Sequence, residues 1–230
     1  MFAINHASAA LLFKKKYSSI DIIWLLISVQ LIEYFWVFFN YFGLEFTTTE
    51  KTVKYIGDIH LIHMPFSHSL LTTVILSVVS YILIRFLLKN VKLALIISLA
   101  IASHFALDLL VHAVDLPLWY FTTYPMFGTN LYPAYPYLAF LIEFLFGVFC
   151  WWYYEGSKML LTVIVVFNLF NFTTFSPHII GLEKYFANQP MLLTSVIFGQ
   201  IIITSIFVWY FSKAKVIKPA LQSNNLVAEK

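Results

Sequence analysis

His104, Asp108 and His112 stand one helical turn apart in the apolar stretch "ASHFALDLLVH". The i, i+4, i+8 spacing stacks them on one face of a helix. Two ligands one turn apart are a common grip for a metal ion, as in the His-Glu-x-x-His zinc enzymes. Imidazole nitrogen with carboxylate oxygen suits zinc, and also manganese or iron. A second stretch, "HLIHMPFSHSLL", places His60, His63 and His68 at the mouth of another apolar run. Glu33 and Glu143 lie inside further apolar runs, and His6 lies in "NHASAALL". No Lys or Arg shares their depth. Buried carboxylates without a cationic partner need protonation or a metal, and a divalent metal is the simplest compensation.

The elements that must carry these groups are membrane helices. The 230 residues are 61% hydrophobic, 19% aromatic and 11% charged. A soluble domain has about 25% charged residues, and a fold of this length cannot hide so much apolar surface from water. The fold class is therefore an all-α, polytopic membrane helix bundle in one domain, residues 1–218, followed by a polar tail, 219–230, that composition marks as disordered. Six runs are long enough to cross about 30 Å of hydrocarbon: Ile20–Phe42, Ser67–Leu88, Val91–Leu116, Pro136–Tyr154, Met159–Phe175 and Met191–Ser212. Residues 2–13 are too few to span and read as an interfacial or re-entrant half-helix. The runs are continuously apolar, whereas a membrane barrel alternates with period two. The single Cys150 excludes a disulfide framework and a cysteine zinc knuckle.

The basic residues alternate from loop to loop. Lys14–Lys16, Arg85, Lys89, Lys92, Lys158, Lys213, Lys215 and Lys218 fall on one side of the predicted bundle. The positive-inside rule puts that side, with both termini, in the cytoplasm. The 117–135 loop, rich in aromatics and proline and free of basic residues, suits the outer interface. At about 1.5 Å per residue, Glu33 and His104 both come about 20 Å above the cytoplasmic boundary. Asp108 and His68 lie one turn higher, and Glu143 comes to a similar level from outside. Ionisable groups from four spans thus share the outer half of the membrane, where they mark a functional site by default.

Plainer roles compete for several of these residues. Glu143 and Glu33 can be protonated helix bonders. His60 can be a solvated loop residue, His63 a turn residue beside Pro65, and Asp21 and Asp115 solvated span ends. Asn168, Asn171 and Gln200 read as interhelical hydrogen-bonders.

In order, the chain gives "NHASAALL", a carboxylate in "LIEYFW", "HMPFSHSLL" and "ASHFALDLLVH". That order resembles the YdjM-like family of inner-membrane proteins, predicted metal-dependent hydrolases. His6 matches the family's first element, His63 and His68 its histidine-rich element, and Ser103, His104 and Asp108 its Ser-His-x-x-x-Asp element. Where the family has two acids and a His, this chain has only Glu33. The same order is more distantly similar to the zinc-dependent phospholipase C and S1/P1 nuclease group. That similarity implies one metal on Glu33, His68, His104 and Asp108. It implies a second on His6 with Asp108 shared, and His112 as a further ligand; His63 is a candidate for the second metal or for an outer partner of the site.

The resulting expectation is a membrane-embedded, metal-dependent hydrolase of a phosphoester or other lipid-borne ester. Its partners would be the bilayer and a lipid or lipid-linked substrate, not nucleic acid, and the resemblance implies the bacterial inner (plasma) membrane. A metal lowers the pKa of a water it binds toward 7, and Glu33 or Glu143 is the candidate general base. The rival is a transporter or channel for protons or metal ions, since buried acids and histidines also build ion paths. A transporter is expected to carry polar groups through both membrane halves, often on repeats, and no repeat is evident here. In a third reading, the polar groups only glue helices together.

Overall fold

A computed structural model describes residues 1–119 and 125–213. Residues 120–124 of the aromatic loop and the chain from 214, including Lys215, Lys218 and the 219–230 tail, lie outside the described residues. The chain is mostly helical: α1 (Ala3–Lys16), α2 (Ile22–Val29), α3 (Leu31–Tyr41), α4 (Leu70–Leu87), α5 (Val91–Leu109), the single turn α6 (Leu131–Ala134), α7 (Pro136–Tyr154), α8 (Lys158–Phe170) and α9 (Pro190–Ser212). Polar residues set where several begin. The side chains of Asp21, Ser69, Asn90 and Ser157 accept from backbone N–H groups in the first turns of α2, α4, α5 and α8, which satisfies donors the helix itself cannot. Pro136 and Pro190 open α7 and α9, where a missing N–H costs nothing.

Among the described residues four helices, α4, α5, α7 and α9, are long and apolar enough to cross a membrane. The predicted first span is broken: α2 and α3 meet at Gln30 with a bend of 50°. Counted as one crossing, they make five. The predicted fifth span is α8, which has 13 residues and then gives way to a 3-10 turn at Phe172–Phe175. At about 1.5 Å per residue, α8 is about 20 Å long. Six full-length crossings are therefore not what the helix lengths give.

The N-terminal helix α1 lies inside the bundle, not on its surface. It packs against α2, α5, α7, α8 and α9, and every residue from Ala3 to Leu11 is buried. Its small side chains, Ala3, Ala7, Ala9 and Ala10, let neighbours approach closely. On α7 the approach is closest at Gly147, where a Cβ would stand 2.8 Å from Asn5 Oδ1 and 2.9 Å from Ile164 Cγ2. By contrast, α4 packs mainly on α5 and turns Ile75, Val79, Ile82 and Phe86 outward. Outward apolar faces of this kind suit a bilayer, where they cost nothing.

Many of the basic residues collect at one end, while Lys51 and Lys54 lie between the strands at the other. Lys15 pairs with Glu155 at 3.0 Å, Lys92 and Lys16 lie over the Tyr17 ring, and Lys213 lies over Trp209. The opposite end carries two short antiparallel ladders that continuous apolar runs do not reveal. β1 (Phe46–Thr49) pairs with β2 (Ile59–His63), and β3 (Leu116–Pro117) with β4 (Met126–Phe127).

Candidate metal centre

α5 supplies the floor of the site. His104 and Asp108 are fully buried near its C-terminal end, one turn apart as their spacing requires, with His104 Nε2 3.1 Å from Asp108 Oδ2. Glu33 enters from the first turn of α3, directly after the bend at Gln30. The bend is held from the side by α1, since Gln30 Nε2 donates to Ala3 O at 2.8 Å. His68 enters just ahead of α4, whose N-cap is Ser69.

These four side chains close a ring in which carboxylate and imidazole alternate. Glu33 Oε1 lies 3.7 Å from His68 Nε2 and 3.8 Å from His104 Nε2; Asp108 Oδ2 lies 3.7 Å from His68 Nε2 and 3.1 Å from His104 Nε2. Ligands 2.0–2.1 Å from a tetrahedral zinc stand about 3.3 Å apart, so the ring has the dimensions of a ligand shell. Glu33, His68 and His104 each present an atom within 4.8 Å of the others, and so do His6, His104 and Asp108. On the other edge of the same carboxylate, Asp108 Oδ1 meets His6 Nε2 at 3.1 Å and His112 Nε2 at 3.7 Å, and the Met1 amino nitrogen pairs with it. The His6 ring stacks on that of His104, centroids 3.8 Å apart.

The outer partners decide what the imidazoles can offer. His104 Nδ1 lies 2.7 Å from Val29 O, and a carbonyl only accepts. Nδ1 therefore carries the proton, which leaves the Nε2 lone pair facing the ring. Ser67 Oγ donates to Glu45 Oε2 at 2.5 Å and so accepts from His68 Nδ1 at 2.9 Å; His68 Nε2 is then free as well. His112 Nδ1 faces Asp115 Oδ1 at 3.3 Å. Backing of this kind by carbonyl, hydroxyl and carboxylate orients histidines as metal ligands. On the Oδ2 side of Asp108 the lone pairs and carboxylate oxygens converge without a donor and need a cation between them, whereas on the Oδ1 side the Met1 amino group already supplies one. In keeping with that need, His104 Nε2 and Asp108 Oδ2 are buried with no hydrogen-bond partner. The residues present fit a divalent metal.

Comparison with family models, with curated proteins and with solved structures finds no match. The site must therefore be read from its own chemistry.

Of the residues singled out from sequence, His6, Glu33, His68, His104, Asp108 and His112 come together. His63 does not: the β1–β2 ladder pairs it with Phe46, exposed and turned away from the ring. Glu143 is buried, but its oxygens are taken by three donors: Tyr132 Oη at 2.5 Å, Phe2 N at 2.8 Å and Asn5 Nδ2 at 2.8 Å. Those bonds anchor the start of α1, and Glu143 is not among the residues that line the cavity. Asn168 joins the same network through Asn5, and Gln200 donates to Asn171 at 3.0 Å. His60 pairs with Glu50 at the surface.

Glu45 carried no sequence signal, because it sits in a loop beyond α3 with no spacing to any histidine. It is buried, and accepts from Phe66 N, Ser67 N and Ser67 Oγ. Burial pushes its carboxyl above the ordinary range, against the pull of the Ser67 hydrogen bonds. Through Ser67 it fixes the His68 ring. Ser67→Ala is expected to weaken zinc affinity about 10–100-fold, the usual cost of losing an outer partner, with the helical content by circular dichroism unchanged. Competition with a calibrated chelator measures it, and wild-type affinity in the variant would refute the relay.

Glu33, His68 and His112 also line a cavity of about 330 Å³ at this end of the bundle. This is at the small end for ligand pockets, about 300–1,000 Å³. Leu193, Val196 and Ile197 of α9 give it an apolar wall, while Asp115, Asn171 and Gln200 add polar groups.

Proposed function

We propose that this integral membrane protein is a metal-dependent hydrolase of a lipid-borne phosphoester. The observation that carries the reading is the buried ring of Glu33, His68, His104 and Asp108, backed by outer partners and open on one side to a cavity with an apolar wall. A divalent cation, zinc first and manganese or iron next, supplies Lewis acidity and an acidified water at neutral pH. The chain's own residues do the rest. Asp108 and His104 hold the floor, and His6 and His112 converge with the Met1 amino group on the second oxygen of Asp108, where a second cation would take the place of that amino group. Glu33 borders the cavity and, where it does not ligate the metal, takes a proton from an incoming water. The α9 wall accommodates the lipid part of the substrate.

The reaction class draws support from the resemblance of the motif order to the YdjM-like family. The same reading takes α2–α3 and α8 as crossings, for six in all. It puts the basic end and both termini in the cytoplasm of a bacterial inner membrane, with the site in the outer half. Against the transporter stands the packing beyond the ring: toward the basic end the axis is filled by Ala7, Leu11, Leu25 and Ile164, all fully buried.

The test is hydrolysis. Detergent-purified protein loaded with zinc is expected to cleave at least one member of a panel of short-chain lipid phosphodiesters and phosphomonoesters. Chelation should abolish the cleavage and zinc should restore it. A metal-loaded protein inert toward the whole panel would contradict the reading.

A further inference from the structure

We infer that Trp36 is a substrate-binding residue of this site, whose indole N–H donates to a non-bridging oxygen of a phosphodiester monoanion. The inference rests on the hydrolase reading and narrows its substrate class. Trp36 follows Glu33 by one turn on α3, which puts the two on one face of that helix, and both line the cavity beside His68 and His112. The side chain is 2% exposed, and its Nε1 has no hydrogen-bond partner. An indole nitrogen is a donor only, and a buried donor left unpaired costs about 1–3 kcal/mol. Such a group is usually explained by a function. The ring is also held in place, packed with Ala3, Val37, Met64, Phe105 and Ile201.

The donor discriminates between substrate classes. A carboxylic ester has one carbonyl oxygen; given to the metal, it leaves the indole unpaired. A phosphodiester has two non-bridging oxygens, one for the metal and one for Trp36. A phosphomonoester dianion brings an additional charge; no Lys or Arg is among the residues lining the cavity, and the Met1 amino group there is already paired with Asp108. The monoanionic diester therefore matches both the donor count and the charge.

The experiment uses zinc-loaded, detergent-solubilised full-length protein with ¹⁵N-labelled tryptophan and the non-hydrolysable monoanion hexyl methylphosphonate. The Trp36 indole resonance is the one missing from Trp36→Phe. It is expected to move downfield as the probe is added. Trp36→Phe, with its ring retained and the same zinc content, should bind the probe at least about ten-fold more weakly. Trp36→Tyr, which restores a donor, should recover part of that loss and supplies the assignment a second time. A probe that saturates the protein without moving that resonance overturns the inference and leaves the hydrolase reading intact. Wild-type probe affinity in Trp36→Phe, or no binding to zinc-loaded protein, overturns it likewise. A wild-type protein that takes up no zinc overturns the hydrolase reading, and the inference with it.

Discussion

Asp108→Asn is expected to leave the purified protein without metal. Asp108 gives one oxygen to His68 and His104 and the other to His6 and His112, so its charge serves both edges of the cluster. The amide is nearly the same size, but it removes the negative charge and replaces one acceptor with a donor. Two imidazole lone pairs would then face an N–H₂ group with no cation between them. The loss in affinity should exceed the 10–100-fold that follows loss of an outer partner, and hydrolysis should fall with it. If the cluster were only helix glue, Asp108→Asn would strip the buried Met1 amino group of its carboxylate partner, so the thermal midpoint would fall while metal content would not change. Metal analysis separates the two.

Glu143→Leu is expected to have the largest effect on stability, acting through the seating of α1. The change removes one acceptor from three donors, Tyr132 Oη, Phe2 N and Asn5 Nδ2. At about 1–3 kcal/mol for each donor left unpaired, the loss is on the order of 5 kcal/mol. For a chain of this size that is roughly 10–20 °C in thermal midpoint. Because those donors seat α1, His6 should be displaced before the rest of the bundle melts. Fluorescence-detected melting in detergent measures the midpoint, and a shift below about 3 °C would refute the anchoring role.

Local pattern made much of this legible. α7 runs from Pro136 to Tyr154 as its apolar run and opening proline indicate. Helix periodicity alone puts His104, Asp108 and His112 on one face, and counting residues from the membrane boundary brings Glu33 and His68 to the same level. What was not legible depends on contacts between distant segments. The bend at Gln30 is fixed by a hydrogen bond to Ala3, which no window of sequence contains. Residues 2–13 look too short for a span, and the central place of α1 follows from α7 and α8 closing on Gly147 and Asn5. His63 belongs to the same motif as His68, but strand pairing with Phe46 turns it outward. Glu45 reaches His68 only through Ser67. Glu143 shows the converse: burial and depth marked it for chemistry, and its hydrogen-bond partners give it a structural role.

The central claim is that the ring of Glu33, His68, His104 and Asp108 holds a metal. The most direct test is elemental analysis of detergent-purified wild-type protein beside His104→Ala and Asp108→Ala. Stoichiometric zinc, manganese or iron in the wild type, lost in both variants, is the predicted result. Wild-type protein without bound metal, or variants that retain it, would contradict the account.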